Sequence, residues 1–326
     1  MKALVSGANG FTGSYLIKLL LKKGYQVKGI VRKTSKLEAI KDLPVELYYA
    51  DLATHPSFYD AMQDIDIVYN IAAAYRVEGV PNKYFWDVNL EGTRRLLVSA
   101  KKAGIKRFVH CSTVGVQGHI KKIPAKEEDP YNPGDYYQES KLAAEKLALE
   151  YYKNGLPVTV VRPAGIYGPG DMRFLKLFKY IKNGKFKMIG SGNVYYHFTY
   201  GEDLAEGIVL AGEKEEAIGE IFTIGGEEYL TLNELVKKIG MVFNKPVPKT
   251  HIPVFPVWFA GLLCEIVCRP FGITPPVYRR RVEFFVKDRA FDISKAKKVL
   301  GYQPKYTLDE GLKKTADWYK EKGLLD

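Results

Sequence analysis

Three glycines, Gly7, Gly10 and Gly13, stand in the segment GANGFTG, directly after a short β-rich run and directly before a helical pattern. Few folds use such a turn. The first glycine allows a tight turn, the second lets the backbone approach a pyrophosphate, and the third lets the helix pack close to the strand. The helix N-terminus then faces the negative charge. Glycines in a turn can be purely structural, but a first βα turn is where a dinucleotide loop must stand. Asn9, Phe11 and Thr12 therefore join the glycines as expected cofactor contacts.

The rest of the chain has the matching rhythm. β-rich runs at residues 3–6, 26–31, 45–50, 67–71, 107–111 and 157–161 alternate with helix-length segments. That alternation predicts βαβ units and a parallel sheet covered on both faces. The expected fold class is α/β, a Rossmann doubly wound parallel sheet, with ligands beyond the carboxyl ends of its strands. After about Arg162 the chain becomes irregular and richer in Gly, Pro and aromatics, with helical patterns at 174–183, 203–211, 232–243, 294–300 and 308–322. Residues 1–165 read as the dinucleotide-binding domain and 166–326 as a smaller substrate lobe. The run at 218–225 is expected to return to the main sheet, so that the two interleave.

Composition excludes more than it selects. With 326 residues, 46% of them hydrophobic, the chain can bury a proper core. The net charge of +12 is spread along the chain without an arginine-rich arm or zinc-ligand spacing, so nucleic acid is not an expected partner. An anionic cofactor or substrate, or simply a lysine-rich solvated surface, accounts for it. Cys111, Cys264 and Cys268 lack the spacing of a disulfide framework or zinc site, and His55, His110, His119 and His251 are scattered. No metal is expected, and a cytoplasmic location is. The first residues already read as a strand, so no signal peptide is expected. The most apolar stretch, 254–268, contains Glu265 and falls short of the roughly twenty residues needed to cross a bilayer. It reads as a buried or an interfacial helix, which makes 251–271 a candidate for membrane-surface contact.

The turn after the second β-rich run bears on which dinucleotide is bound. NAD sites prefer an acid there for the adenosine 2′-hydroxyl, whereas this chain reads GIVRKTSK and offers Arg32, Lys33, Ser35 and Lys36. A cation with hydroxyl donors suits a 2′-phosphate, so NADP(H) is favoured. If Arg32 only stacks on the adenine, NAD(H) serves as well. The third run ends in Asp51 and Leu52, placed to meet the adenine, although Asp51 could instead cap the following helix. The fourth ends in Asn70, Ile71, Ala72 and Ala73, whose small residues let the backbone pass beside the cofactor.

Tyr137 and Lys141 open a helical pattern at i, i+4 spacing, which puts phenol and ammonium on one face. A tyrosine loses its proton near pH 10, too high for acid–base work at neutrality, and a neighbouring ammonium is expected to lower that value. Lys141 can also hold the nicotinamide ribose. Such a pair alone is ordinary on a surface helix. The fifth run, however, leads into Cys111, Ser112 and Thr113, hydroxyls at a strand's carboxyl end. Thr113, with Ser112 in reserve, is expected to bond the substrate oxygen and, with the Tyr137 phenol, to stabilise a developing alkoxide.

In this order the glycine loop, Asp51-Leu52, the 70–73 segment, Ser112-Thr113, Tyr137 with Lys141, RPAGIYGPG at 162–170 and FDISKAKKVLGYQPKYTLDEGL near the C-terminus resemble the extended short-chain dehydrogenase/reductases. The resemblance covers essentially the whole chain. It implies Thr113, Tyr137 and Lys141 as a catalytic triad, Asn89 as a fourth, supporting polar residue, and Pro163 as a further cofactor contact. Asn89 could otherwise just cap or bend its helix. A homodimer through helices at 82–103 and 134–154 is implied as well.

That family holds nucleotide-sugar epimerases and dehydratases on one side, and reductases of steroids, flavonoids and other carbonyls on the other. In the sugar-nucleotide enzymes an asparagine normally stands three residues after the arginine of RPAGIYG, and an Arg-Asp pair precedes the aspartate of HFTYGEDLA. This chain has Gly165 and Tyr196-His197 there. Each lost contact would be worth about 1–3 kcal/mol when buried. In their place stand Tyr195, Tyr196, His197, Phe198, Tyr200 and the HIPVFPVWFAGLLC stretch. The pattern resembles the 3β-hydroxysteroid dehydrogenase and dihydroflavonol reductase-like branch. Expected substrate contacts are Thr113, Tyr75, Gly165, Ile166, Arg173, Tyr196 and His197, with Arg173, Arg279, Arg280 and Arg281 available to an anionic group. The expected activity is an NADP(H)-dependent interconversion of alcohol and ketone on an apolar substrate. A nucleotide-sugar 4-epimerase with tightly bound NAD is the alternative. A non-catalytic dinucleotide-binding regulator is a further one, weakened because both Tyr137 and Lys141 are kept.

Overall fold

The computed structural model describes residues 1–75, 79–246, 250–268 and 279–325, with the side chains of Arg280 and Arg281 outside the description. Seven parallel strands form the main sheet: β1 (Lys2–Ser6), β2 (Gln26–Val31), β3 (Val45–Tyr49), β4 (Ile67–Asn70), β5 (Arg107–Cys111), β6 (Val158–Pro163) and, after an excursion, β10 (Ile221–Ile224). Their order is β10-β6-β5-β4-β1-β2-β3, so the winding reverses between β1 and β4. Ser6 pairs with Ile30 on one side and Asn70 on the other, which brings three strand ends level at that switch point. Doubly wound sheets take their ligands there.

The strands are near-continuous apolar runs because both faces are covered. Ala3 and Val5 pack with Leu16, Ile17 and Leu20 of α1 (Phe11–Lys22) and with Leu204 and Ile208 of α6 (Gly201–Glu213). Leu4, between them, points the other way. It packs with Leu96, Leu97 and Ala100 of α3 (Gly92–Ala103) and Leu147 and Ala148 of α4 (Tyr136–Lys153). The period-2 alternation of one strand thus assigns each helix layer its core. A short α2 (Lys83–Trp86) joins α3 through a π-helical turn, Asp87–Glu91. Gly104 at φ +65° ends α3, and the Asp135 carboxylate caps α4 by accepting from the Gln138 N–H at 2.9 Å.

Between β6 and β10 the chain makes β7 (Gly165–Tyr167), α5 (Leu175–Lys182), β8 (Met188–Ile189), β9 (Tyr195–Tyr200) and α6. After β10 come β11 (Tyr229–Thr231), α7 (Leu232–Val242), β12 (His251–Ile252), α8 (Val254–Cys268), α9 (Arg279–Val282) and α10 (Leu308–Glu321). A three-stranded sheet, β11-β9-β7, carries an aromatic core in which Tyr167, Phe178, Tyr196, Phe198 and Tyr200 meet α7 and α10. Thr231 with Glu234 and Thr307 with Glu310 form capping boxes that start α7 and α10. Among the described residues no helix is long and apolar enough to cross a membrane.

Candidate active site

The glycine loop is fixed by contacts that exclude side chains. Gly7 sits at φ +68°, and a Cβ on it would lie 2.8 Å from Ala72 Cα; one on Gly13 would lie 2.2 Å from the Gly7 carbonyl oxygen. The N-cap of α1 is Gly10, which supplies no side-chain cap, and the first turn has no acid. Its leading N–H groups, with Phe11 and Thr12 in that turn, are therefore open to an anion. These residues fit a dinucleotide pyrophosphate. Asn9 donates to the Lys36 carbonyl at 3.1 Å, which ties the loop to the turn after β2. In that turn the Arg32 N–H bonds Ser35 Oγ at 3.1 Å and the exposed guanidinium donates to the Tyr84 hydroxyl at 3.2 Å, while Lys33 is exposed.

Asp51 Oδ1 accepts from the Ala53 N–H at 2.8 Å in a turn, with no helix following for it to cap, and Leu52 is buried against Gly92. The N–H groups of Ile71 and Ala72 donate to Ser6 Oγ at 3.0 and 3.1 Å. Ala73 follows, exposed, and Pro163 closes β6, buried.

Thr113 leaves β5 in extended conformation; its Oγ1 accepts from the Gly115 N–H at 3.0 Å and its side chain hydrogen-bonds the Tyr137 phenol. The Tyr75 ring meets the Tyr137 ring edge-on at 4.8 Å. The buried Lys141 ammonium donates to the Cys111 carbonyl at 2.6 Å. Ser112 Oγ is buried beside them with no partner among the described residues. One expectation is reversed here. Burial, followed by Tyr75 and Cys111, pushes the Tyr137 phenol above its ordinary value; the Thr113 hydrogen bond pulls it down but does not prevail. The Lys141 ammonium, donating to a strand-end carbonyl, does not offset that burial. Burial also pulls Lys141 below its usual range and lifts the Cys111 thiol to about 11.

Asn89 lies in the π-helical turn and clamps one residue twice. Its Oδ1 accepts from the Ala74 N–H at 2.8 Å, and its Nδ2 donates to the Ala74 carbonyl at 3.2 Å and to Ser140 Oγ at 2.9 Å. Ser140 in turn donates to the Tyr137 carbonyl at 2.9 Å. In the other direction Thr93 Oγ1 donates to the Asn89 carbonyl at 2.7 Å and accepts from Asn70, whose Oδ1 accepts from Ser6. A buried polar chain thus runs from the tip of β1 to the backbone of Tyr137. Thr93 and Ser140 went unnoticed in the sequence, although Asn89 and Thr93 share a helical spacing. Also missed was the Arg162–Glu145 ion pair, with both side chains 0% exposed and contacts of 2.6 and 3.0 Å. Arg162 further donates to the Glu127 carbonyl at 2.9 Å. A charged residue inside an apolar strand was its one sequence signal.

On the substrate side, a Cβ on Gly165 would come 3.0 Å from the Phe198 ring and 3.1 Å from the His197 carbonyl. Arg173 bonds Asp171 at 2.6 Å and the Ile166 carbonyl at 2.9 Å, and its guanidinium lies over the Phe11 ring at 5.4 Å. It therefore bridges the lobe and the glycine loop. Tyr196 and His197 turn inward. Tyr196 donates to the Phe284 carbonyl and accepts from Arg289 at 2.7 Å, and His197 Nε2 meets the Gly226 carbonyl at 2.8 Å. Arg279 pairs with Glu265 at 3.0 Å, while the side chains of Arg280 and Arg281 lie outside the described residues.

Residues 3–225 match the NAD dependent epimerase/dehydratase family. The chain is 29% identical to the N-acetyl-alpha-D-glucosaminyl-diphospho-ditrans,octacis-undecaprenol 4-epimerase of Escherichia coli O157:H7, over 97% of this chain and 94% of that one. It is also 29% identical to the decarboxylating sterol-4-alpha-carboxylate 3-dehydrogenase of Mus musculus, over 96% and 90%. Among solved structures it resembles UDP-glucuronic acid 4-epimerase from Bacillus cereus in complex with NAD, with a TM-score of 0.80, 28% identity and 100% of both chains covered.

Proposed function

The chain belongs to the NAD dependent epimerase/dehydratase family, within the extended short-chain dehydrogenase/reductases, and on that footing we propose an NADP(H)-dependent oxidoreductase interconverting alcohol and ketone on an apolar, steroid-, isoprenoid- or flavonoid-like substrate. Membership makes it an NAD(P)-dependent enzyme. The observation that carries the substrate class is the wall beside Gly165. With Phe198 and the His197 carbonyl close to where a Cβ would stand, an asparagine able to hold a sugar nucleotide has little room, and rings take its place. The similarity to a sterol dehydrogenase supports the same reading.

Bound nicotinamide would supply the hydride donor or acceptor. The chain supplies the proton and the positions. Tyr137 gives or takes the proton at its phenol oxygen, and Thr113, already bonded to that phenol, holds the substrate oxygen. Lys141, held by the Cys111 carbonyl, keeps a buried positive charge beside the ribose site. Asn89 and Ser140 fix the turn from which Tyr137 projects. The Arg32 guanidinium, with no carboxylate partner among the described residues, meets a 2′-phosphate together with Lys33 and Ser35. Residues 1–165 bind the dinucleotide and 166–326 the substrate. The homodimer joins through α2, α3 and α4, where Val98, Tyr136 and Tyr152 are exposed, and the three free cysteines suit the cytoplasm.

A second reading is a 4-epimerase acting on a lipid-linked sugar diphosphate. It is favoured by the Escherichia coli relative, whose named substrate joins a sugar diphosphate to an isoprenoid body. One experiment separates the two. Purified protein is given NADP⁺ or NAD⁺ with a panel of apolar secondary alcohols, and separately given UDP-sugars or polyprenyl-diphosphate sugars without added cofactor. Net cofactor reduction by the alcohols is expected; epimerisation without added cofactor would overturn the first reading.

A further inference from the structure

Surface helices ordinarily bury an apolar stripe and show a polar face. Helix α8 does the reverse. Its buried residues are Gly261 and Glu265, while Phe255 is 72% exposed, Phe259 46%, Leu263 47%, Ile266 60% and Val267 62%. At 3.6 residues per turn these five side chains fall within an arc of about 120°. No polar side chain interrupts it, because Glu265 is the sole charge in α8 and it points inward. Its carboxylate accepts from the Arg279 N–H at 2.8 Å and from the guanidinium at 3.0 Å, so the charge is neutralised on the protein side.

Cations flank the ridge. The Arg279 side chain, its charge paired with Glu265, is 40% exposed and lies over Trp258 at 5.6 Å, so the net positive charge beside the ridge comes from lysines. Lys185 and Lys187 are exposed on the segment entering β8, which pairs with β12 just before α8 begins. An isologous contact between two copies would bring these cations together across the interface. An anionic surface meets them with opposite charge, and the chain carries +12 overall.

We propose that α8 is a membrane-surface anchor, lying in the headgroup layer of an anionic bilayer with Phe255, Phe259, Leu263 and Ile266 inserted. Its 15 residues span about 22 Å, enough to lie in the interface and too short to cross it. From α9 the chain passes through residues 283–285 to Lys287, whose ammonium lies 3.6 Å from where a Gly134 Cβ would stand, beside the start of α4. The anchor depends on no substrate assignment and stands if the alcohol–ketone reading fails.

The test is co-sedimentation with mixed phosphatidylcholine–phosphatidylglycerol vesicles and with pure phosphatidylcholine vesicles. Wild-type protein is expected to pellet with the mixed vesicles, less with the neutral ones and less at raised salt, with a blue shift in tryptophan emission from Trp258. A Phe255→Ser/Phe259→Ser/Leu263→Ser variant with unchanged circular dichroism and thermal unfolding should lose about a hundredfold in partitioning. Should that variant misfold, Phe255→Ser alone, at the most exposed large apolar side chain of α8, should lose about tenfold. Wild-type protein that stays in the supernatant with both vesicles, or variants that pellet unchanged, would overturn the proposal. So would a lipid-free dimer that the variants dissociate, since α8 would then join two copies.

Discussion

The sheet half and the lobe hold their functional groups by different means. In the sheet half, position comes from the backbone: Gly7 at φ +68°, Ser6 and Asn70 level at strand ends, Thr113 leaving β5, Tyr137 in the first turn of α4. Each place demands a particular residue. In the lobe, Tyr167, Tyr196, Phe198, Tyr200 and Phe284 hold one another, with ring centroids between 4.7 and 6.0 Å apart. A packed ring can be exchanged for another apolar group of similar volume at modest cost. Reaction type is thus tied to the half that tolerates little change, and substrate choice to the half that tolerates more.

The contrast breaks most visibly at Tyr137. Tyr137→Phe should cut turnover by about 10²–10⁴-fold and leave cofactor binding unaltered, read by steady-state kinetics and a cofactor titration. Surviving turnover would move the chemistry out of the sheet half. Glu145→Leu should cost about 3–5 kcal/mol in urea unfolding, because Arg162 is left buried and unpaired. Acid comes next and compares the halves directly. His110 in the sheet and His197 in the lobe are both held below the ordinary 6.5, chiefly by burial. Below that value the unfolded chain takes up protons that the folded chain refuses, so stability is full above it and falls as the pH drops. The slope is up to about 1.4 kcal/mol per pH unit for each histidine. Unfolding of His110→Gln and His197→Gln at several pH values shows which half yields first.

Arg32→Gln should lower the preference for NADP(H) over NAD(H) by about tenfold while sparing NAD(H) use, measured as a ratio of kcat/KM values. Smallest in stability is Phe198→Leu, at less than about 1.5 kcal/mol in urea unfolding. It should still change the ranking of substrates by kcat/KM. An unchanged ranking would mean that the ring wall does not select.

Backbone-dictated features are the legible ones. The glycine spacing, the six β-rich runs and the helix-length gaps between them are readable because each is a local requirement of the chain. The phenol of Tyr137 was misjudged for the opposite reason: its spacing from Lys141 is local, but its burial and the Cys111 carbonyl that claims the ammonium are tertiary. Nothing local marks Asp87–Glu91 as π-helical, although that turn positions Asn89 under Ala74. Helix α8 read as buried or interfacial because apolarity does not tell which way a face points.

The Arg162–Glu145 pair has a consequence beyond its energy. Tyr137, Lys141 and Glu145 follow one another at four-residue steps along one flank of α4, and the last is gripped by a guanidinium rooted in β6. Rolling α4 about its own axis would break that grip. A roll of about 20° would carry a group at the rim of a helix, about 5–6 Å from its axis, through roughly 2 Å. Misplacements of that size at a reacting atom can cost more than about a hundredfold in rate. Apolar residues of equal volume could keep the chain folded in place of the pair, yet they would leave the direction of the phenol unset. The pair acts as an angular stop, and its effect is read in where Tyr137 points.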